Sequence, residues 1–120
     1  MTECLIVGAG GAVGAVLRYL IGLIPLNPEN GFPVKTFLIN VAGCFVIGLV
    51  AALAARASLG PRITLFLKVG ICGGFTTFSS FALETDQLLA KGATATAAAY
   101  VLLSIICGVL VVFAAQKLAA

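Results

Sequence analysis

The stretch Gly-Gly-Phe-Thr-Thr-Phe-Ser-Ser-Phe occupies residues 73–81 and interrupts an apolar segment that is otherwise long enough to cross a membrane. Two glycines loosen the backbone, and four hydroxyl side chains and three phenylalanines follow with no charge among them. Polar, irregular backbone at membrane depth persists only where protein buries it or where it lines a cavity. This stretch is therefore the first candidate for a functional site.

The composition of the chain is that of a membrane protein. Of its 120 residues, 62% are hydrophobic and 9% are charged, whereas a soluble domain carries roughly 25% charged residues. The chain has no histidine, and its net charge of +3 is too small and scattered to indicate nucleic-acid binding. The four cysteines lie far apart without a Cys-x-x-Cys pair, so we expect packing residues rather than a zinc or redox site.

Four apolar stretches predict an all-α integral membrane protein with a single transmembrane domain over residues 1–120. The predicted helices cover about residues 5–24, 36–55, 62–90 and 95–115. We expect the third helix to be broken near 73–77, in the middle of the membrane. A bilayer core about 30 Å thick needs about 20 helical residues, so each stretch can cross once. The N-terminus carries Glu3 and no basic region, so we expect no signal peptide.

Six of the seven basic residues are divided evenly between the two ends of these spans, and Lys68 cannot be assigned to either end. Three would lie on the side of both termini and three on the other: Arg56, Arg62 and Lys117 against Arg18, Lys35 and Lys91. The positive-inside rule therefore gives almost no orientation. Either another feature fixes the orientation, or the chain inserts both ways and pairs as an antiparallel dimer. Four helices enclose little volume, and small-residue pairs such as Gly10–Gly14 and Gly70–Gly74 allow close contact, so we expect an oligomer.

Two features of the first span admit more than one interpretation. The glycines between Gly8 and Gly14 imitate a dinucleotide-binding fingerprint, but the spacing is wrong and the run continues as an apolar helix. Helix packing explains them better. Arg18 is a costly charge within an apolar span, which indicates either a functional or buried pair, or an interface anchor beside Tyr19. The sequence does not identify a partner for Arg18.

Polar side chains form stripes along the second and fourth spans. Asn40 shares a helical face with Thr36, Gly43 and Cys44. It is either a hydrogen-bonding contact between helices or a pore-lining amide, whose NH₂ group could donate to an anion. In the fourth span the stripe consists of Tyr100, Ser104 and Gly108.

The third span combines an aromatic edge with a track of hydroxyl groups. Phe78 and Phe81 share one stripe, and beside it run Thr77, Ser80 and Glu84, with Ser79 roughly opposite. In a broken helix, unpaired carbonyls at the end of the first half, near Gly73 and Gly74, suit a cation. The N–H groups that open the second half suit an anion, as do the positive edges of phenylalanine rings.

Residues 10–19, 36–40 and 70–81 together resemble the motifs of the Fluc/CrcB family of small fluoride channels, and the last of these is the most specific. The resemblance implies antiparallel, dual-topology homodimers of four-helix subunits in the bacterial inner (plasma) membrane. It implies two fluoride pathways that passively release fluoride from the cytoplasm. It also implies a structural sodium ion (Na⁺) at the dimer axis, held by the backbone carbonyls of Gly73 and Thr76 from both subunits.

The resemblance also implies which residues line the fluoride path: Asn40, Thr77, Phe78, Ser79, Ser80, Phe81, Tyr100 and Ser104. Glu84 would lie farther along the third helix, and Arg18 would have a structural or vestibular role. Gly108 stands where some members of the family carry a further hydroxyl group.

Three other functional classes are less well supported. A proton-coupled transporter of the small multidrug-resistance type would need a membrane-embedded carboxylate on the first helix, which has only Glu3 at its edge. A scaffold or holin-like peptide would not need the hydroxyl track. An enzyme is not expected, because no nucleophile–base pair or cofactor motif is present.

Overall fold

The computed structural model describes all 120 residues and is entirely helical. Its elements are α1 (Thr2–Gly22), α2 (Val34–Ala55), α3 (Pro61–Leu65), a π-helical segment (Phe66–Cys72), α4 (Gly73–Phe75), α5 (Phe78–Ala90) and α6 (Thr94–Ala119). The pieces from α3 to α5 form one bent stretch, Pro61–Ala90, which we call the third span. Four stretches are thus long and apolar enough to cross a membrane, which confirms the predicted number of spans. The protein is a multi-pass membrane protein.

The observed helices differ from the predicted spans at their ends. α1 begins at Thr2 rather than near residue 5 and ends at Gly22, and α6 continues to Ala119 rather than ending near residue 115. The difference arises because an apolar pattern marks only the part of a helix that avoids water. Helical hydrogen bonding continues into the polar residues on either side.

α1 packs against the third span through small residues on both sides. A Cβ atom added to Gly10 would lie 2.9 Å from Cα of Gly70, and one added to Gly14 would lie 3.1 Å from the carbonyl carbon of Gly74. The two predicted small-residue pairs therefore meet in one interface, in which the backbones approach closely. Because the glycine-rich run lies inside α1 and no strand precedes it, it does not form a dinucleotide-binding turn.

α2 lies between α6 and the third span. On one face, a Cβ atom added to Gly48 would lie 2.8 Å from Cβ of Ala115 in α6. On the other, Gly43 contacts the methyl group of Thr76. These two glycines bring α2 close to both neighbours, so polar side chains on α2 can reach the third span.

The third span is not a uniform α-helix. It begins with Pro61 at the first helical turn, where the missing N–H is tolerated, and widens into a π-helix. Gly73 and Gly74 do not end the helix, contrary to the expectation from the sequence, but continue it as α4 with ordinary helical angles at Gly73. The reason is that the missing side chain of Gly74 serves close packing, since an added Cβ would lie 3.0 Å from Cα of Gly11.

The buried core is small and is centred on Tyr100, whose side chain has no exposed surface. Tyr100 packs with Leu88 and Ala97, and the loop between α1 and α2 folds back to place Phe32 against it, with ring centroids 5.4 Å apart. Most large apolar side chains on the outer faces of the spans are exposed in the single chain. In a membrane, lipid or another protein chain covers such faces.

Candidate functional site

The helical pattern of the third span is interrupted at Thr76 and Thr77, which both have extended backbone angles. Thr77 is also the N-cap of α5, because its Oγ1 accepts a hydrogen bond from the N–H of Ser80 at 3.1 Å. A threonine at this position satisfies an N–H that has no partner inside the helix. The hydroxyl of Thr77 lies 3.4 Å from that of Ser79, which is exposed.

The side chain of Asn40 in α2 binds both backbone polar groups of Thr77. Its Oδ1 accepts from the N–H of Thr77 at 2.8 Å, and its Nδ2 donates to the carbonyl of Thr77 at 3.2 Å. Of the two interpretations of Asn40, the contact between helices is thus observed directly. One hydrogen of its NH₂ group has no partner among these bonds and stays available.

Arg18 of α1 contacts the third span just before the interruption. Its Nε donates to the carbonyl of Gly74 at 3.2 Å. This carbonyl belongs to the C-terminal end of the first half of the third span, where a positive charge is favourable. The partner that the sequence could not identify is therefore a backbone group, and Arg18 secures α1 to the interruption.

Glu84 of α5 accepts hydrogen bonds from two other helices. Thr36 of α2 donates to its Oε2 at 2.8 Å, and Tyr100 of α6 donates to its Oε1 at 2.9 Å. Two such donors offset part of the cost of withdrawing a carboxylate from water. Each of the three residues lies on a polar stripe visible in the sequence, but that they meet at one carboxylate follows only from the packing of α2, α5 and α6.

The two phenylalanines of α5 have different surroundings. Phe81 packs against Tyr100, with ring centroids 5.0 Å apart, and lies at the edge of the buried core. Phe78 lies next to it at 5.7 Å, but its side chain is 79% exposed. An aromatic ring this exposed inside a membrane span faces lipid, a cavity or another chain.

One cavity of about 370 Å³ brings together most of the residues expected along the path. It is lined by Asn40, Thr77, Phe78, Phe81 and Ser104, together with Gly73 and Thr76. No acidic residue lines it. The Oγ of Ser104 is buried and has no hydrogen-bond partner, the only such side-chain atom in the protein.

Cys44 and Cys72, which were expected to be packing residues, also line this cavity, as does Lys68, for which the sequence indicated no role. Lys68 makes no ion pair, because the single ion pair in the protein joins Glu3 to the N-terminal amino group. Its position inside an otherwise apolar span was the available signal, since an ionisable residue there usually faces a cavity. The ion pair of Glu3 also leaves α1 without the embedded carboxylate that a multidrug transporter would need.

A second cavity of about 580 Å³ is lined by several charged side chains. Arg18, Lys35, Lys91, Ser80 and Glu84 line it. Thr77 lines both cavities, so they are adjacent at the interruption. Two of the expected path residues line neither: Ser79 is exposed, and Tyr100 is buried with its hydroxyl on Glu84.

The groups that could hold a cation are backbone carbonyls. No cluster of three or more His, Cys, Asp or Glu side chains is present. The N–H of Thr77, which would bond to the carbonyl of Gly73 in a continuous helix, donates to Asn40 instead. Gly73 is exposed, with no atom near the position of a side chain. Carbonyl oxygens are suitable ligands for a hard cation such as sodium, so the donor set fits.

Comparison with known proteins identifies the family. The family described as "CrcB-like protein, Camphor Resistance (CrcB)" matches residues 5–116. A fluoride-specific ion channel FluC of Chlorobium phaeobacteroides is 44% identical over 116 residues, which is 96% of this chain and 91% of that protein. The FluC of Rhizobium meliloti is 42% identical over 120 residues, covering 98% and 96%. That of Nitrobacter winogradskyi is 48% identical over 112 residues, covering 90% and 87%. The match spans nearly the whole chain, and the protein belongs to the CrcB family.

Proposed function

We propose that this protein is a passive, fluoride-selective ion channel that exports fluoride from the cytoplasm across the bacterial inner (plasma) membrane. The observation that carries the proposal is the cavity lined by Phe78, Phe81 and Ser104. It combines two aromatic rings, an unpaired buried hydroxyl and no carboxylate. Relatives that share over 40% of their residues with this chain are named fluoride-specific ion channels.

Each lining residue contributes a donor suited to a small, hard anion. Ser104 offers an O–H that no protein atom accepts, and Asn40 keeps one N–H after binding Thr77. Ring edges of Phe78 and Phe81 carry the positive part of the aromatic quadrupole. Lys68 adds the only formal charge in the lining, and this positive charge favours an anion near its side chain.

On this proposal, Tyr100 and Glu84 act on the path through the packing of Phe81. Tyr100 donates its hydroxyl to Glu84, and its ring lies against Phe81. Thr77, Ser79 and Ser80 place hydroxyl groups at the start of α5, where the helix dipole also favours an anion. Thr77 lines both cavities, so an anion that moves from one to the other passes it.

The working unit on this proposal is an antiparallel, dual-topology homodimer with two pathways. Phe78 and Gly73 are exposed on the single chain beside the interruption, where a second copy would cover them. The even division of basic residues favours insertion in both orientations. The carbonyls of Gly73 and Thr76 from both copies would hold a structural sodium ion at the dimer axis, and that ion would join the two interrupted spans.

Fluoride efflux from proteoliposomes, followed with a fluoride electrode, tests the proposal. Purified protein should release fluoride far faster than empty liposomes and should not release chloride. Absence of fluoride efflux, or equal passage of chloride, would refute it.

Replacing an aromatic residue tests the path itself. Phe81→Ile should lower fluoride flux by at least roughly fivefold, because an aromatic contact contributes about 1 kcal/mol beyond its area. Phe113→Ile on α6 is the matched control, since Phe113 is 58% exposed and lies outside both cavities. Dimers of both variants should remain intact by size-exclusion chromatography. Equal fluxes in the two variants would remove Phe81 from the path.

A further inference from the structure

Asn40 makes an unusual pair of hydrogen bonds with a single residue, Thr77, whose N–H and C=O belong to adjacent peptide units. Its side-chain amide accepts from the N–H of Thr77 and donates to the carbonyl of the same residue, at 2.8 and 3.2 Å. This is the exchange of two bonds that one strand residue makes with its neighbour in an antiparallel sheet. The side chain of Asn40 thus replaces a strand partner for the extended residue Thr77.

The helical hydrogen-bond ladder ends where this pair begins. The N–H and the hydroxyl of Thr76 both donate to the carbonyl of Cys72, at 3.0 and 2.9 Å. The next hydrogen bond of a continuous α-helix would join the N–H of Thr77 to the carbonyl of Gly73. That N–H is directed to Asn40 instead, so the carbonyl of Gly73 loses its helical partner.

A glycine on α2 allows this helix to pack closely enough for the contact. Gly43 lies one turn after Asn40, and its missing side chain makes room for the methyl group of Thr76. Asparagine is the side chain of this length that carries both an acceptor and a donor. Leucine has a similar size without either group, and serine is too short to reach across the helix contact.

We propose that Asn40 is a positioning residue for the cation site, because it withdraws the N–H of Thr77 and leaves the carbonyl of Gly73 free for an ion. This inference rests on the proposed function for the presence of sodium and extends it by naming the residue that keeps the site open. Without Asn40, the N–H of Thr77 competes with the ion for the same carbonyl. The proposed path role of Asn40 needs only its second N–H.

The conformation of Thr77 can be observed on its own. Thr76 and Thr77 are the only two adjacent threonines in the chain. Solid-state NMR of protein labelled with ¹³C and ¹⁵N in threonine alone therefore shows one correlation between an amide nitrogen and the preceding carbonyl carbon. That signal reports the Thr77 peptide in wild type and variants, whether or not the protein conducts.

Asn40→Leu should move the Thr77 signal away from its extended position and weaken sodium-dependent thermal stabilisation. The apparent sodium affinity, measured from melting temperature against sodium concentration in detergent, should fall roughly tenfold, the effect of one competing hydrogen bond. In this titration, N-methyl-D-glucamine substitutes for sodium so that the ionic strength stays constant. Asn40→Asp keeps the acceptor for the N–H of Thr77 and should retain both properties.

Two further variants complete the experiment. Thr85→Val removes a hydrogen bond within α5, from Thr85 to the carbonyl of Phe81, and should leave the Thr77 signal and the sodium response unchanged. If Asn40→Leu does not fold, Asn40→Ser takes its place, because serine can satisfy its hydroxyl within its own helix.

The outcomes separate this inference from the proposed function. An unchanged Thr77 signal and sodium response in Asn40→Leu, with reduced fluoride flux, would show that Asn40 acts on the anion alone and would overturn the inference. Wild-type protein that sodium does not stabilise would overturn it as well. Expected results for Thr77 and sodium in a protein that releases no fluoride would support the inference while refuting the proposed function.

Discussion

At the scale of single residues, Ser104 is the side chain whose hydrogen bonding is incomplete. Its hydroxyl is buried in the cavity beside Phe78 and Phe81 and has no protein partner. A buried polar group without a partner costs about 1–3 kcal/mol. A site that binds a small anion by hydrogen bonds needs a donor that is not already bonded to a protein atom. The free energy lost in the empty protein is then recovered when an anion accepts the bond.

Stability and flux should therefore respond in opposite directions to Ser104→Ala. The melting temperature should stay the same or rise, because the variant removes an unpaired group, while fluoride flux should fall several-fold. Thermal unfolding in detergent and liposome efflux measure the two quantities. Thr85→Val is the contrast, since its hydroxyl is paired and its loss should cost about 1 kcal/mol. A clear loss of stability in Ser104→Ala would show that its hydroxyl has a partner after all.

Lys68 is the second residue of interest, because no other side chain neutralises its charge. It lines the same cavity and forms no ion pair. An unpaired charge raises the local concentration of anions within about one Debye length, roughly 10 Å at 0.1 M salt.

Removing this charge should lower flux most at low ionic strength. Lys68→Gln should reduce fluoride efflux several-fold in dilute buffer and less in concentrated salt, whereas Lys68→Arg should keep wild-type flux. Lys117→Gln changes the net charge equally, but Lys117 lies at the end of α6 over the ring of Phe113, outside the cavity. Identical salt dependence in the two glutamine variants would contradict a local role for Lys68.

At the scale of elements, the contact between α1 and the third span depends on the absence of side chains. The backbone of α1 at Gly10 and Gly14 lies against the backbone at Gly70 and Gly74, and Arg18, one turn later, binds the carbonyl of Gly74. Neighbouring backbone cannot move aside as a flexible side chain can. The contact therefore fixes where Arg18 meets the interrupted helix.

Two glycine-to-alanine changes on α1 should have opposite effects on stability. Gly14→Ala would bring Cβ within 2.8 Å of the backbone nitrogen of Phe75, and should destabilise by about 1–3 kcal/mol through overpacking. Gly8→Ala meets no atom within 4 Å and should stabilise by about 0.5–1 kcal/mol, as alanine favours helix. Unfolding in detergent measures both. Equal effects would mean that the close contact is absent in the membrane protein.

The four spans were predictable because each apolar stretch matches the bilayer. The stripe of Thr36, Asn40 and Gly43 was visible in the sequence, but that it contacts the third span follows only from the structure. The interruption lies within the predicted range, residues 73–77, but at Thr76 and Thr77 and not at Gly73 and Gly74. Local propensity assigned the break to the glycines, whereas tertiary contacts placed it at the threonines: Asn40 captures Thr77, and Gly74 is used for packing.

The sequence also did not indicate which groups the charged side chains contact. Arg18 binds a backbone carbonyl 56 positions away, a group that every residue carries and no pattern marks. Glu84 meets Thr36 and Tyr100 only because three helices converge on it. The π-helical segment gave no signal either, since its residues are as apolar as those of the neighbouring α-helices.

At the scale of the whole molecule, the balance of charge decides how the chain enters the membrane. Lysine and arginine near the ends of the spans are counted by the insertion machinery, and here the two sides are even. A few added lysines should then be enough to fix one orientation. An antiparallel dimer would respond to such a bias in a way that a parallel dimer would not.

Chains that insert in only one orientation should give little fluoride flux when they are expressed alone. Flux should return when chains of the two opposite orientations are expressed together. Ser58→Lys with Gly60→Lys adds charge beside the loop that follows α2, and Glu29→Lys with Thr94→Lys adds it on the opposite side; all four positions are exposed. Each double variant, expressed alone, should supply subunits of one orientation and give little fluoride efflux. Co-expression of both should restore it, because each orientation then finds its opposite.

Glutamine at the same four positions is the control for the substitutions themselves, and these variants should conduct like the wild type. Labelling of an introduced cysteine from each side of the membrane verifies the orientation of every variant. A double-lysine variant that shows one orientation by labelling yet conducts fully on its own would exclude the antiparallel dimer. A parallel or single-chain pathway would then have to account for the exposed ring of Phe78 and the open backbone of Gly73.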